Sequence, residues 1–139
     1  MKYLTFEDAK SRLTQYASEY EKKLEVFFCI VAQLERLFET VRSNIVTIEH
    51  NKSATPEIAA IRFCGSQYTI HLEFNPFKHE KAVIILKRIS KEKEYENGRI
   101  EIDDAGNIIF PGGSKICLFE KDEFEKMVFS FFFNSIGKR

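Results

Sequence analysis

From Phe6 to Val41 the apolar residues recur every three or four positions almost without exception: Phe6, Ala9, Leu13, Tyr16 and Tyr20, then Leu24, Phe27, Val31, Leu34, Phe38 and Val41. That period gathers side chains on one face of an α-helix. No Gly or Pro occurs from Met1 through Ala54, so no strong breaker interrupts the run, and Thr5 followed by Asp8 marks its start as a capping box with Asp in the usual Glu place. The step from Tyr20 to Leu24 follows another step of four, a stutter that predicts one continuous helix with a locally unwound seam. The alternative is a hairpin broken near Tyr20–Lys23.

Length gives this helix a consequence. Over residues 5–43 it spans about 58 Å, whereas a compact globule of 139 residues is roughly 37 Å across. One end must project. The second half adds Phe28, Cys29, Ile30 and Leu37, a wide apolar arc suited to docking on the body, while the first half keeps the narrow stripe of a helix-to-helix seam. Phe6, Leu13, Tyr16 and Tyr20 would stay wet unless covered, and a second copy related by a two-fold axis is the simplest cover. A monomer whose helix folds back would bury the same stripe internally.

After Asn44 the period changes from 3.6 to 2. Ile45 to His50 predicts a short strand, Asn51 to Glu57 a loop, and Ile58 to Cys64 and Ser66 to Phe74 a hairpin. A type II′ turn at Gly65-Ser66 would set Phe63 opposite Tyr68 and Ile61 opposite Ile70. Ile61, Phe63, Tyr68, Ile70, Leu72 and Phe74 then share a covered face, and Arg62, Gln67, Thr69, His71 and Glu73 a wet one. Ala82 to Leu86 reads as a central strand, Lys91 to Gly98 as a charged turn, and Arg99 to Asp103, Ile108 to Phe110 and Lys115 to Phe119 as further strands. Asp122 is positioned to cap a Phe-rich final helix, with Gly137 just past its end. The expected fold class is α+β, one domain over residues 1–139: a helical arm (1–44), an antiparallel sheet of five to seven strands (45–119) and a closing helix packed on it (122–136).

Chemical motifs are sparse. Three cysteines, Cys29, Cys64 and Cys117, are odd in number and never in a C-x-x-C pair, which fits a reducing compartment better than a disulfide framework or a zinc site. Glu7, Asp8, Lys10 and Arg12 interrupt any signal-peptide core, and the apolar runs Val26 to Ala32 and Met127 to Phe133 are too short to span a bilayer, so a cytoplasmic location with no membrane contact is expected. His71 and Glu73 share a strand face, as two ligands of a two-His-one-carboxylate iron site would, with His50 or His79 as third. Strand parity sends His50 to the Val46 and Ile48 side, however, and no metal or cofactor is expected. The Pro111–Lys115 stretch could make an anion nest, and Glu101, Asp103 and Asp104 a metal cluster, but both read more simply as turn chemistry. No nucleophile elbow, Walker or dinucleotide-binding pattern is present.

Lys plus Arg is 21 and Asp plus Glu is 21, so no global field draws the chain to nucleic acid. Locally, Lys78, Lys81, Lys87, Arg88, Lys91 and Lys93 form a basic segment directly followed by the acidic Glu94, Glu96, Glu101, Asp103 and Asp104. Cross-strand pairing of opposite charges explains that alternation better than a phosphate-binding patch. The expected function is a non-catalytic cytoplasmic protein-interaction module, such as a small inhibitor, adaptor or immunity-type binder, acting as a homodimer. Its protein partner would be met by the polar sheet face around Glu49, Arg62, Thr69, His71 and Glu73, or by the projecting helix. The alternatives are a nucleic-acid-binding accessory protein using the basic segment and an enzyme whose pocket is assembled from distant residues.

Overall fold

The computed structural model describes residues 3–41, 44–74, 82–109 and 114–137. Helix α1 (Phe6–Glu39) leads into a sheet of β1 (Val46–Glu49), β2 (Ile58–Phe63), β3 (Ser66–Glu73), β4 (Ala82–Ser90), β5 (Lys93–Ile102), β6 (Ile108–Ile109) and β7 (Lys115–Ile116), and helix α2 (Lys121–Ile136) follows. Each strand pairs antiparallel with its sequence neighbours, so the spatial order is the chain order and β4 lies at the centre. Both helices cover one sheet face; the fold is α+β.

Helix α1 is one unbroken helix of 34 residues, roughly 51 Å long. Its start is the capping box expected from the sequence: the Asp8 amide donates to Thr5 Oγ1 at 3.1 Å and the Thr5 amide to Asp8 Oδ2 at 3.3 Å. The helix passes Tyr20 without a break. Lys23 stands in the seam, three residues past Tyr20, with only 1% of its surface exposed. A charged residue thus holds a position that an apolar pattern skips. Its ammonium donates to the Asp103 carbonyl at 2.7 Å and lies 5.9 Å from the Phe74 ring centroid. From Val26 onward the helix is docked: Val26, Phe27, Ile30, Val31 and Leu34 are buried against the sheet, each contributing about 1.5–3 kcal/mol of apolar burial.

The β2–β3 hairpin has its turn one residue earlier than Gly65-Ser66. Phe63 pairs with Ser66 and Ile61 with Tyr68, and the turn residues Cys64 and Gly65 have φ of 50° and 86°. Positive φ at both central positions belongs to a type I′ turn, whose twist matches that of the strands. The pairing is displaced by two residues from the expected register. Because side chains alternate with a period of two, the faces are unchanged: Ile61, Tyr68, Ile70 and Leu72 are buried, and Arg62 and Gln67 exposed.

The Lys91 to Gly98 segment is not a charged turn. The chain reverses at Lys91–Glu92, both at positive φ (52° and 65°), and β5 begins at Lys93. The long β4–β5 ladder overrides two residues with little preference for that conformation. A bulge at Asn97 shifts its register, since Leu86 pairs with Gly98 but Lys87 with Glu96. Asn97 Nδ2 donates to the Ser135 carbonyl at 3.1 Å, tying the bulge to α2.

Helix α2 begins at Lys121, with Glu120 rather than Asp122 at its N-cap and no side-chain cap. Glu120 instead accepts a hydrogen bond from the Cys117 amide at 3.2 Å. Gly137 ends the helix in right-handed geometry, φ −74°. Phe132 fills the space between the helices and the sheet, with ring centroids 5.3 Å from Phe38 and 5.9 Å from Phe63.

Candidate interaction surfaces

Strand alternation places the polar residues of the sheet on the face opposite the helices, and the pairing aligns them in transverse rows. One row runs Thr47, Arg62, Gln67, Ile89, Glu94. The next runs Glu49, Ala60, Thr69, Lys87, Glu96, and beyond it lie Ile58, His71, Ile85 and Arg99. The last holds Glu73, Val83, Glu101, Ile109 and Lys115. A groove of 510 Å³ crosses the first two rows, with Thr47, Glu49, Arg62, Gln67 and Thr69 in its lining.

All five residues expected at a protein-binding face therefore share one surface. Glu49, Arg62 and Thr69 line the groove, whereas His71 and Glu73 lie in the two rows beyond it, His71 Nε2 3.1 Å from Glu73 Oε1. Ile85 is buried to 2% exposure on this outer side, so β4 is buried on both faces over Ile84–Leu86, the middle of its apolar run. Gln67, already placed on the wet face by alternation, and Lys87, which was not, belong to the same surface. Period-two spacing is the signal that would mark Lys87, masked by the length of the basic run.

The second surface is the free half of α1. Phe6 is 79% and Leu13 70% exposed, with Ala9 exposed between them and Tyr16 half-buried. Tyr20 is already engaged by its own body: its hydroxyl donates to the Glu57 carboxylate in the β1–β2 loop. Partial burial, that hydrogen bond and the Glu57 charge push the phenol up to about 12. The open part of the stripe thus runs from Phe6 to Leu13, a correction to the seam expected from spacing alone.

Among the described residues the basic segment does not form one patch. Lys87 faces the groove side and reaches Glu94 at 3.4 Å; Arg88 faces the helix side, 5.4 Å from the Tyr95 ring centroid. Lys91 stands in the turn and Lys93 starts β5. Lys78 and Lys81 lie outside the described residues, as do His79 and the 111–113 part of the supposed anion nest. The pairing across β4 and β5 is the one that opposite charges on adjacent segments predict.

The residues weighed as metal ligands lie apart where they are described. His50 stacks on Phe27 at 5.6 Å and is edge-on to Phe28 at 5.1 Å, with Nε2 2.9 Å from the Pro56 carbonyl, so it sits against α1 on the other side of the sheet from His71. Among the described residues no three His, Cys, Asp or Glu side chains form a group able to hold a metal ion. Asp103 closes a turn, accepting hydrogen bonds from the Ala105 amide at 3.0 Å and the Asn107 amide at 2.8 Å, with Lys115 at 3.3 Å. Burial raises its pKa, but these donors outweigh it and hold the carboxyl below the usual carboxylate range. Burial lowers the Lys23 pKa, opposed by Asp104 and Asp103. Among the described residues no helix is long and apolar enough to cross a membrane. Comparison of the chain with protein families, with curated proteins and with solved structures found no match.

Proposed function

We propose that this chain is a non-catalytic protein-interaction module that acts as a homodimer, in the manner of a small inhibitor, adaptor or immunity-type binder. The observation that carries the reading is the uncovered apolar stripe on the projecting half of α1, with Phe6 79% and Leu13 70% exposed on the helix face that the body covers farther along. An apolar stripe continuous with a docked one is a surface prepared for a partner. Joining two copies by their arms leaves the polar sheet face of each to meet a second protein through Glu49, Arg62 and Thr69. The free thiols Cys29, Cys64 and Cys117 fit a reducing compartment, and we place the protein in the cytoplasm.

Light scattering tests the first step. The reading expects a solution mass of twice the 16.3 kDa chain at micromolar concentration. Leu13→Glu with Tyr16→Glu should return the monomer mass while the far-ultraviolet circular dichroism of the sheet persists. A monomer in the unaltered protein refutes the reading, and collapse of all structure in the variant shows that the stripe is an internal contact.

A further inference from the structure

The sheet ends in two unequal edges. At one, β7 is two residues long and carries Lys115; at the other, β1 runs four residues, Val46–Glu49, with no Pro, Lys or bulge to blunt it. We propose that the outer edge of β1 receives one further strand, an extended peptide of a protein partner that carries Lys or Arg at alternate positions. This goes beyond the homodimer proposed above and does not rest on it.

Ladder parity shows which backbone groups face outward. The Cys64 amide donates to the Ile45 carbonyl at 2.9 Å, which makes Ile45 and Cys64 a hydrogen-bonded pair. Antiparallel pairs alternate between bonded and non-bonded. Thr47 opposite Arg62 and Glu49 opposite Ala60 are then bonded, while Val46 and Ile48 turn their N–H and C=O groups away from β2. Among the described residues no strand pairs with that side of β1, so two donors and two acceptors form the template on which strand addition is built.

A groove follows this edge. Its 280 Å³ are lined by Glu35, Phe38 and Glu39 of α1 and by Val46, Thr47 and Ile48. Val46 and Ile48 pack toward the helices and Thr47 points the other way. A space that touches all three, and no residue of β2, lies beside the strand.

Charge selects the occupant. Glu35 and Glu39 stand one helical turn apart in the lining, and among the described residues neither is paired with a cation, since Arg36 between them reaches Glu125 at 2.6 Å. Alternate side chains of an added strand turn to the helix side, where a Lys or Arg stem can lie along the groove and its charge meet the two carboxylates. A second copy of β1 is the wrong partner: pairing two edges about a two-fold axis normal to the sheet sets both α1 helices on one side and gathers Glu35 and Glu39 of each copy at the seam, like charge against like.

Hydrogen exchange and fluorescence anisotropy with a short labelled peptide alternating Lys and Val test this. Binding should slow exchange at the Val46 and Ile48 amides and leave Thr47, already bonded to Arg62, little changed. Replacing Lys by Glu in the peptide should weaken binding about tenfold, and Glu35→Lys with Glu39→Lys should reverse that preference, circular dichroism confirming the fold. Of two peptides N-methylated at every second amide, the one blocked on its pairing edge should bind about tenfold more weakly and the other close to the unmethylated peptide. Equal binding of the two methylated peptides means attraction of charge without an added strand and overturns the proposal, as does absence of binding. Val46 and Ile48 amides already slow in the free protein would put a second copy or another segment on the edge and overturn it too. None of these readouts depends on the solution mass, so this proposal and the homodimer fail separately.

Discussion

Adding a single methyl group at Gly98 tests how closely α2 is seated on the sheet. A Cβ at that position would meet Ser135 Oγ at 1.9 Å, Ser135 Cβ at 2.9 Å and Phe131 Cε2 at 3.0 Å. The φ of Gly98 is not positive, so the backbone itself does not demand glycine. Two effects of opposite sign then compete. Gly→Ala at a compatible backbone position stabilises by about 0.4–1 kcal/mol, because the unfolded chain loses freedom. Overpacking a filled site costs about 1–3 kcal/mol. The hydroxyl can rotate away, but Ser135 Cβ is fixed by a helix that Asn97 also holds through the Ser135 carbonyl. The overlap should win, and Gly98→Ala should destabilise by about 0.5–2 kcal/mol.

Urea denaturation measures that difference, and a second substitution isolates its cause. Ser135→Gly removes both serine atoms at a cost of about 0.5 kcal/mol in helix propensity. In that background Gly98→Ala should be neutral or stabilising, giving a coupling of about 1–2 kcal/mol between residues in contact. A Gly98→Ala variant more stable than its parent, or one whose penalty is unchanged by Ser135→Gly, would refute the close approach of β5 and α2.

Two further predictions concern charge. Tyr20→Phe should cost about 1 kcal/mol at neutral pH through loss of the bond to Glu57. It should also remove an alkaline weakening, since a phenol raised from 10.0 to about 12 keeps its proton in the folded state while the unfolded chain gives it up; stability then falls from about pH 10 to about pH 12. Thermal melts across that range check both parts, and an identical alkaline slope in the variant contradicts the contact. Asp103→Ala should destabilise by about 1–2 kcal/mol near neutral pH. Because the folded carboxyl is held below its ordinary value, its stabilisation is complete above the unfolded pKa and lost as pH falls through the folded one, so parent and variant should converge in acid; a gap that stays constant to pH 2 rules out the carboxylate as its source.

Much of this architecture is legible in the residues. Period decides the elements: the spacing of three and four from Phe6 yields a continuous α1, and alternation from Ile58 to Glu73 yields the correct sheet faces even though the expected register is off by two. That register shift is instructive, because Gly65 suits the first central place of a II′ turn and the second of an I′ turn, and the glycine alone does not choose between them. Lys91–Glu92 is illegible for a related reason. Neither residue favours positive φ, so the reversal is imposed by the ladder on either side and leaves no local mark. Lys23 carries the opposite lesson: its four-carbon stem can line an apolar seam while its ammonium reaches a carbonyl, and a hydropathy pattern counts it as a gap.

The surfaces are legible only as far as parity reaches. Glu49, Arg62, Thr69, His71 and Glu73 fall on one face because alternate residues must share it. That three of them line a groove depends on how the sheet curls, which no strand encodes alone. Spacing assigns Tyr20 to the open stripe, yet Glu57, which claims its hydroxyl, lies 37 positions away in sequence.

The order of the strands bears on how the protein is made. Every strand neighbours the next one along the chain, so the sheet can zip up a turn at a time and loop closure costs little at each step. The contact between Phe38 and Phe132 is another matter, for it bridges the full span of the sheet and forms only after α2 has been synthesised. Until then the inner side of the sheet has only half its roof, and a nascent chain halted before Lys121 would expose it to whatever sticky surface lies nearby.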